Sequence, residues 1–208
     1  MPNLMDLLQG HLSPDVVNQL SQQVGADPEQ TQDAAHGIMS ALLGGLAKNA
    51  ATPQGASALS DALAKDHDGG ILGNIMGAIS GNAPAGVSSS ALDGAGILSH
   101  ILGGNQGNIM QMIAQATGMD QGAIGALMLK LAPLVMGVLG QQKAANGLNP
   151  CGLSSLLTST VSGMSQNTEN PLMQMAQQVL SGAAGGNSSG SGGGLLGMAK
   201  SLLGGLFK

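Results

Sequence analysis

The stretch Asp120 to Gly140, DQGAIGALMLKLAPLVMGVLG, leaves this chain the fewest options. Ile124, Leu127, Met128, Leu131, Leu134, Val135, Val138 and Leu139 recur at three- and four-residue spacing, which marks an apolar helical face. Ala132 and Met136 widen that face until the helix is apolar almost all round. Such a helix is buried in a core or spans a membrane. Ala123 to Gly140 is only just long enough to span. Lys130 lies near its middle, where a bilayer makes a charge cost about 3 kcal/mol, and Pro133 interrupts its backbone ladder. The segment therefore reads as a buried core helix, opened by Asp120, whose carboxylate can accept from first-turn amides.

Prolines mark the other helix starts. Ser13-Pro14, Asp27-Pro28, Thr52-Pro53, Asn149-Pro150 and Asn170-Pro171 each pair a capping side chain with proline at the first helical position. Sustained apolar/polar alternation is missing, so strands are not expected. The implied helices run over 4–9, 14–24, 28–48, 53–65, 107–117, 121–142, 150–164 and 171–180. In the third, Ala34, Ala35, Ile38, Met39, Leu42, Leu43 and Leu46 form the inward stripe; in the fourth, Ala58, Leu59, Ala62 and Leu63 do. Residues 82–93 read as a polar linker, and 182–194, almost all glycine and serine, as a flexible one before an apolar tail at 195–208.

The chain of 208 residues suits one domain and a tail. Phe207 is the only aromatic residue, so the core must be aliphatic, with 13 methionines making it adaptable. Six basic against eleven acidic residues give a net charge of −5, which argues against nucleic-acid binding. A single cysteine, Cys151, excludes an intrachain disulfide. It sits at a helix start, where a thiol pKa can fall, but no base accompanies it. The opening MPNLMDLLQGHL lacks the basic and long apolar regions of a secretory signal, so a cytoplasmic location is expected.

Shifted by 93 residues, the chain partly overlays itself. Leu4, Leu8 and Gly10 meet Ile97, Ile101 and Gly103; Val16, Val17 and Leu20 meet Ile109, Met110 and Ile113; Gly25 and Asp27 meet Gly118 and Asp120. With a four-residue gap, GASAL at 55 meets GLSSL at 152. Two copies of one multi-helix unit follow, about 4–65 and 97–164, joined through a glycine-rich connection at 66–107 and packed on each other. The expected fold is an all-α compact domain over 1–181 made of these two related repeats, with a flexible apolar C-terminal tail.

LAKNAATPQGASALSDALAKDHDGGILGN, GILSHILGGNQGNI and LKLAPLVMGVLGQQ resemble the bacterial YidB-like domain-of-unknown-function family, over roughly Val16 to Met164. The resemblance implies an all-α domain with two related halves. It carries no catalytic residues and no agreed activity.

Candidate chemistry is sparse. DHDGG at 66–70 begins like a calcium loop but has glycine at the third ligand position and at the twelfth. Asp66, His67, Asp68, Asp93 and His100 would be the possible metal set if the two glycine-rich stretches met in space, although no pair has helical ligand spacing. The reading without chemistry is that these residues cap and end helices. Gly73, Gly77 and Gly81, and Gly103 and Gly107, fall at four-residue spacing and suggest flat helix surfaces for close packing. The tail presents Leu195, Leu196, Met198, Leu202, Leu203, Leu206 and Phe207 beside Lys200 and Lys208, suited to a partner's groove, a membrane surface or its own domain.

These features suggest a non-enzymatic helical interaction or scaffold protein with a protein partner or self-association, making contact through Gly- and Met-rich helix surfaces and the tail. No cofactor, nucleic acid or small-molecule substrate is expected. The alternatives are a peripheral membrane or envelope-associated protein anchored by the tail, and a metal-binding protein or enzyme using the Asp66–His100 set.

Overall fold

The computed structural model describes residues 4–66, 70–79 and 92–166, and among them all regular structure is helical. In order these are α1 (Leu4–His11), α2 (Pro14–Val24), α3 (Pro28–Asn49), α4 (Pro53–Lys65), a 3₁₀ turn at Gly70–Asn74 running into α5 (Ile75–Ile79), α6 (Gly94–Leu102), a second 3₁₀ turn at Gly103–Asn105, α7 (Gln106–Thr117), α8 (Gln121–Asn146) and α9 (Pro150–Gln166). The protein is therefore all-α. The expected helix at 171–180, the linker at 182–194 and the tail at 195–208 lie outside the described residues, as do His67, Asp68 and Gly81.

Six of the helices, α2, α3, α4, α6, α8 and α9, begin where a side chain satisfies a free amide. Ser13 accepts from the Val16 amide at 3.4 Å, Thr52 from Gly55 at 3.1 Å and Asn149 from Gly152 at 2.8 Å. Asp27 accepts from Glu29 at 2.9 Å, and Asp120 from Gly122 at 2.7 Å. Proline follows four of these five caps, where its missing N–H loses nothing. Asp93, which no proline follows, caps α6 through the Gly96 amide at 3.0 Å.

Helices α1 to α4 and α6 to α9 follow the same plan. Gly25 and Gly118 end α2 and α7 in the left-handed conformation, at φ 68° and 71°. Asp27 and Asp120 then take nearly the same backbone, φ −66° with ψ 141° and 142°. Helix α8 has 26 residues against 22 in α3, which is the four-residue gap between GASAL and GLSSL. The packing also survives exchange of the two units. Helix α3 meets α8, α4 meets α9, and the crossed contacts occur in pairs: α3 with α9 and α8 with α4, α3 with α7 and α8 with α2, α3 with α6 and α8 with α1. A two-fold arrangement has this property.

The core runs between α3 and α8. Ile38, Met39, Leu42 and Leu43 of α3 are fully buried, as are Ile124, Leu127, Met128, Leu131, Val138 and Leu139 of α8. By length and composition α8 passes the test for a membrane-crossing helix (mean hydropathy 1.9), and 67% of that apolar window is buried against the rest of the protein. The aliphatic side chains on its flanks explain its lack of a polar face.

The two central helices are weakened at the same place by different means. Pro133 has no N–H for the Leu129 carbonyl one turn back. Gly94, at the start of α6, brings its bare backbone against that carbonyl, and a Cβ there would overlap the Leu129 backbone. The equivalent of Pro133 in α3 is Ser40, whose hydroxyl donates to the His36 carbonyl at 2.8 Å, the equivalent of Leu129. Lys130, half-buried, donates its Nζ to the Ile79 carbonyl at 2.8 Å and so ties α5 to α8.

Close packing falls on glycines other than those expected. A Cβ added at Gly73, Gly103 or Gly107 would meet nothing within 4 Å. Gly103 is instead a helix terminator at φ 54°. The tight positions are Gly94, Gly55, where a Cβ would overlap the Asn49 backbone, and Gly45, where a Cβ would stand 2.7 Å from Ile101 Cγ2. The four-residue spacing of the expected set therefore does not coincide with a helix contact at these three positions.

Two expectations about stability follow. Gly94→Ala should lower stability by about 2 kcal/mol or more through overlap with α8, whereas Gly107→Ala should raise it by up to about 1 kcal/mol, both read from urea unfolding. Thr31 is fully buried with its hydroxyl unpartnered, and its equivalent in α8 is the buried Ile124. Thr31→Val keeps the shape and removes the unsatisfied group, so it should stabilise by about 1 kcal/mol in the same measurement.

Candidate functional site

The C-terminal turn of α3, one face of α4 and one face of α6 enclose an open groove of about 630 Å³ over α8. On α4 the lining residues Gly55, Ala58, Leu59, Ala62 and Asp66 follow helical spacing, and on α6 so do Asp93, Gly96, Ile97, His100 and Ile101. Leu46, Leu59, Ile97, Ile101 and Met136 are themselves buried and make the apolar parts of the lining. Gly55, Ala58, Ala62 and Gly96 keep the walls low. The volume lies within the range of sites that hold a ligand or a few apolar side chains.

Helix α6 is held in place by α3. Gly45 lets the backbone of Ile101 approach, and Asn49, one turn later, donates its Nδ2 to the carbonyls of His100 at 2.9 Å and Ile101 at 3.4 Å. These carbonyls belong to the last turn of α6 and have no partner within the helix. The far end of α8 is tied in a similar way, with Lys143 Nζ donating to the Ser60 carbonyl of α4 at 2.9 Å. Both groove walls are therefore fastened by side-chain donors reaching between the two units.

The polar rim is largely engaged in structure. Asp93 caps α6, Thr52 caps α4, and Asn49 is committed to the α6 carbonyls. His100 is exposed, with Nδ1 3.0 Å from the Gly96 carbonyl, an acceptor that calls for a proton on that nitrogen. A smaller recess of about 200 Å³ lies on the other side of His100, against Lys48 and the Gly103–Asn105 turn.

The structure brings Asp66, Asp93 and His100 of the expected metal set to the rim of one groove. Among the described residues, no three His, Cys, Asp or Glu side chains gather closely enough to hold a metal ion. Cys151 is free and exposed at the second position of α9, remote in sequence from any groove residue. The sequence places Ala58 inward; it is exposed, and Ala62 is half-buried, because the core face of α4 passes through Ala56, Leu59, Ser60 and Leu63. The apolar stripe of α4 is wider than its core contact, and the excess width is the groove wall. That excess was the available sequence signal for Ala58 and Ala62. Asn49 had none, since its partner carbonyls come from a helix 51 residues away.

An all-helical protein of two like units with an apolar groove between them is thus the class that fold and site define. Residues 6–142 match the model of a family described as bacterial proteins of unknown function (DUF937), and the chain belongs to that family. The match reaches further toward the start of the chain than the resemblance in its motifs, and it stops within α8. Helix α9 lies beyond it but belongs to the same core, with Leu153 and Leu157 fully buried and α3 and α4 as neighbours. No curated protein and no solved structure matches the chain.

Replacing Asn49 by alanine removes the fastening of α6 to α3. Stability should fall by about 1 kcal/mol, and amide exchange should quicken most at the end of α6 and in the following turn. Uniform acceleration across the protein would mean that Asn49 does not hold this wall.

Proposed function

We propose that this protein is a non-enzymatic helical interaction module of bacterial type and that the groove between α4 and α6 is its contact surface. The observation that carries this reading is the groove itself: apolar lining, walls of glycine and alanine, and open access. A groove of this form suits an apolar helix or short segment, whose side chains enter between low walls. The rim supports binding over catalysis, since Asp93, Thr52 and Asn49 already serve as caps and braces. His100 faces solvent, and neither serine nor cysteine is among the described groove-lining residues. A cytoplasmic location goes with this reading.

Photo-crosslinking in living bacteria tests it. A benzophenone amino acid at Ala58 should capture a defined protein or peptide segment, identified by mass spectrometry. The same probe at the exposed Gln111 on α7 should not capture it. Equal capture at both positions, or none at Ala58, would rule out the groove as a contact surface.

A further inference from the structure

The occupant of this groove is open to argument from the chain itself. We infer that the segment Leu195–Lys208 of the same chain docks in the groove between α4 and α6. This rests on the reading of the groove as a contact surface and names what fills it.

Three observations converge. The first is chemical fit. LLGMAKSLLGGLFK carries Leu, Met and Phe for the apolar lining, and Gly197, Ala199, Gly204 and Gly205 allow close approach to walls that are themselves glycine and alanine. The second is charge. The segment has Lys200 and Lys208 and no acidic residue, while Asp66 and Asp93 stand on opposite walls of the groove. No lysine is among its described lining residues. The third is reach. The last described helix, α9, packs on α4, whose other residues form a groove wall. Of the 28 residues between Gln166 and Leu195, the 14 from 181 to 194 are almost all glycine and serine, and a flexible tether of that length has a root-mean-square span of roughly 20 Å. That span, added to the 14 residues that precede it, reaches from the end of α9 to the neighbouring helix α4 and holds the segment at an effective concentration of about a millimolar. A contact of modest intrinsic affinity is then occupied most of the time. Among the described residues the core runs without a break from Leu4 to Met164, so the shortened chain should keep its helical circular dichroism.

The test uses the full chain, a chain ending at Gly194, and a synthetic peptide of residues 195–208. The peptide should bind the shortened chain with a Kd of about 0.1 mM or tighter and bind the full chain at least about tenfold more weakly, because the tethered copy competes. Amides of Ala58, Ala62, Ile97 and His100 should shift in NMR spectra when the segment is deleted and return when the peptide is added. Ala62→Arg in the shortened chain should abolish peptide binding while circular dichroism stays helical. If that variant misfolds, the peptide with Lys200→Glu and Lys208→Glu supplies the same control, and its binding should weaken at low salt. Equal binding of the peptide to both chains, or to neither, overturns the inference. So does loss of phosphatidylglycerol vesicle binding on deletion with groove amides unchanged, which would assign the segment to a membrane. Concentration-dependent dimerisation that vanishes with the segment would place it in a second copy and also overturns docking within one chain. Capture of a separate protein at Ala58 by the full chain, with no peptide binding to the shortened chain, would keep the interaction reading and remove this occupant.

Discussion

The contact between α3 and α8 is the one on which the rest depends. Neither helix has a polar face wide enough to stand in water, and each is covered by the other and by flanking helices from both units. With no aromatic side chain in the core, burial comes from many aliphatic contacts of small individual worth. Such contacts reward short distances between backbones. That is why Gly45 and Gly94 lie where α6 crosses the two central helices, and why the six buried methionines serve as adaptable filler around them.

Much of this was legible in the chain. The cap and proline pairs placed the starts of α2, α3, α4 and α9 to the residue because a capping side chain bonds amides only two or three positions on, which is a local interaction. Gly25–Asp27 and Gly118–Asp120 exposed the repeat for the same reason. The close-packing glycines were missed because four-residue spacing reports which residues share a face and nothing about what that face meets. Gly107 and Gly94 are equivalent as letters; only the position of Leu129, freed by Pro133, separates them. The groove was half legible. The surplus width of the α4 stripe was present in Ala58 and Ala62, but its opposite wall comes from α6, and only tertiary packing joins them.

The groove also shows how this fold makes a surface without giving up stability. Its lining residues are core residues seen from outside: Leu46, Leu59, Ile97 and Met136 are buried and still border open space. Asn49 and Lys143 supply the hydrogen bonds that hold the walls apart, each reaching a carbonyl with long sequence separation. The groove lining and the scaffold therefore share residues, and polar groups on the rim are occupied in holding its shape.

The exchange symmetry of the packing has a consequence for how the protein is assembled. A contact pattern unchanged when its halves are swapped is the pattern of an isologous dimer. Here the two subunits are joined in one chain by the connection between α4 and α6. Half of the protein alone would present the uncovered faces of α3 or α8, and its natural complement would be another half of the same kind. Keeping both halves on one polypeptide makes pairing a first-order event, independent of protein concentration. It also lets the halves diverge: Ser40 could become Pro133, and Thr31 could become Ile124, without either change having to suit both positions at once.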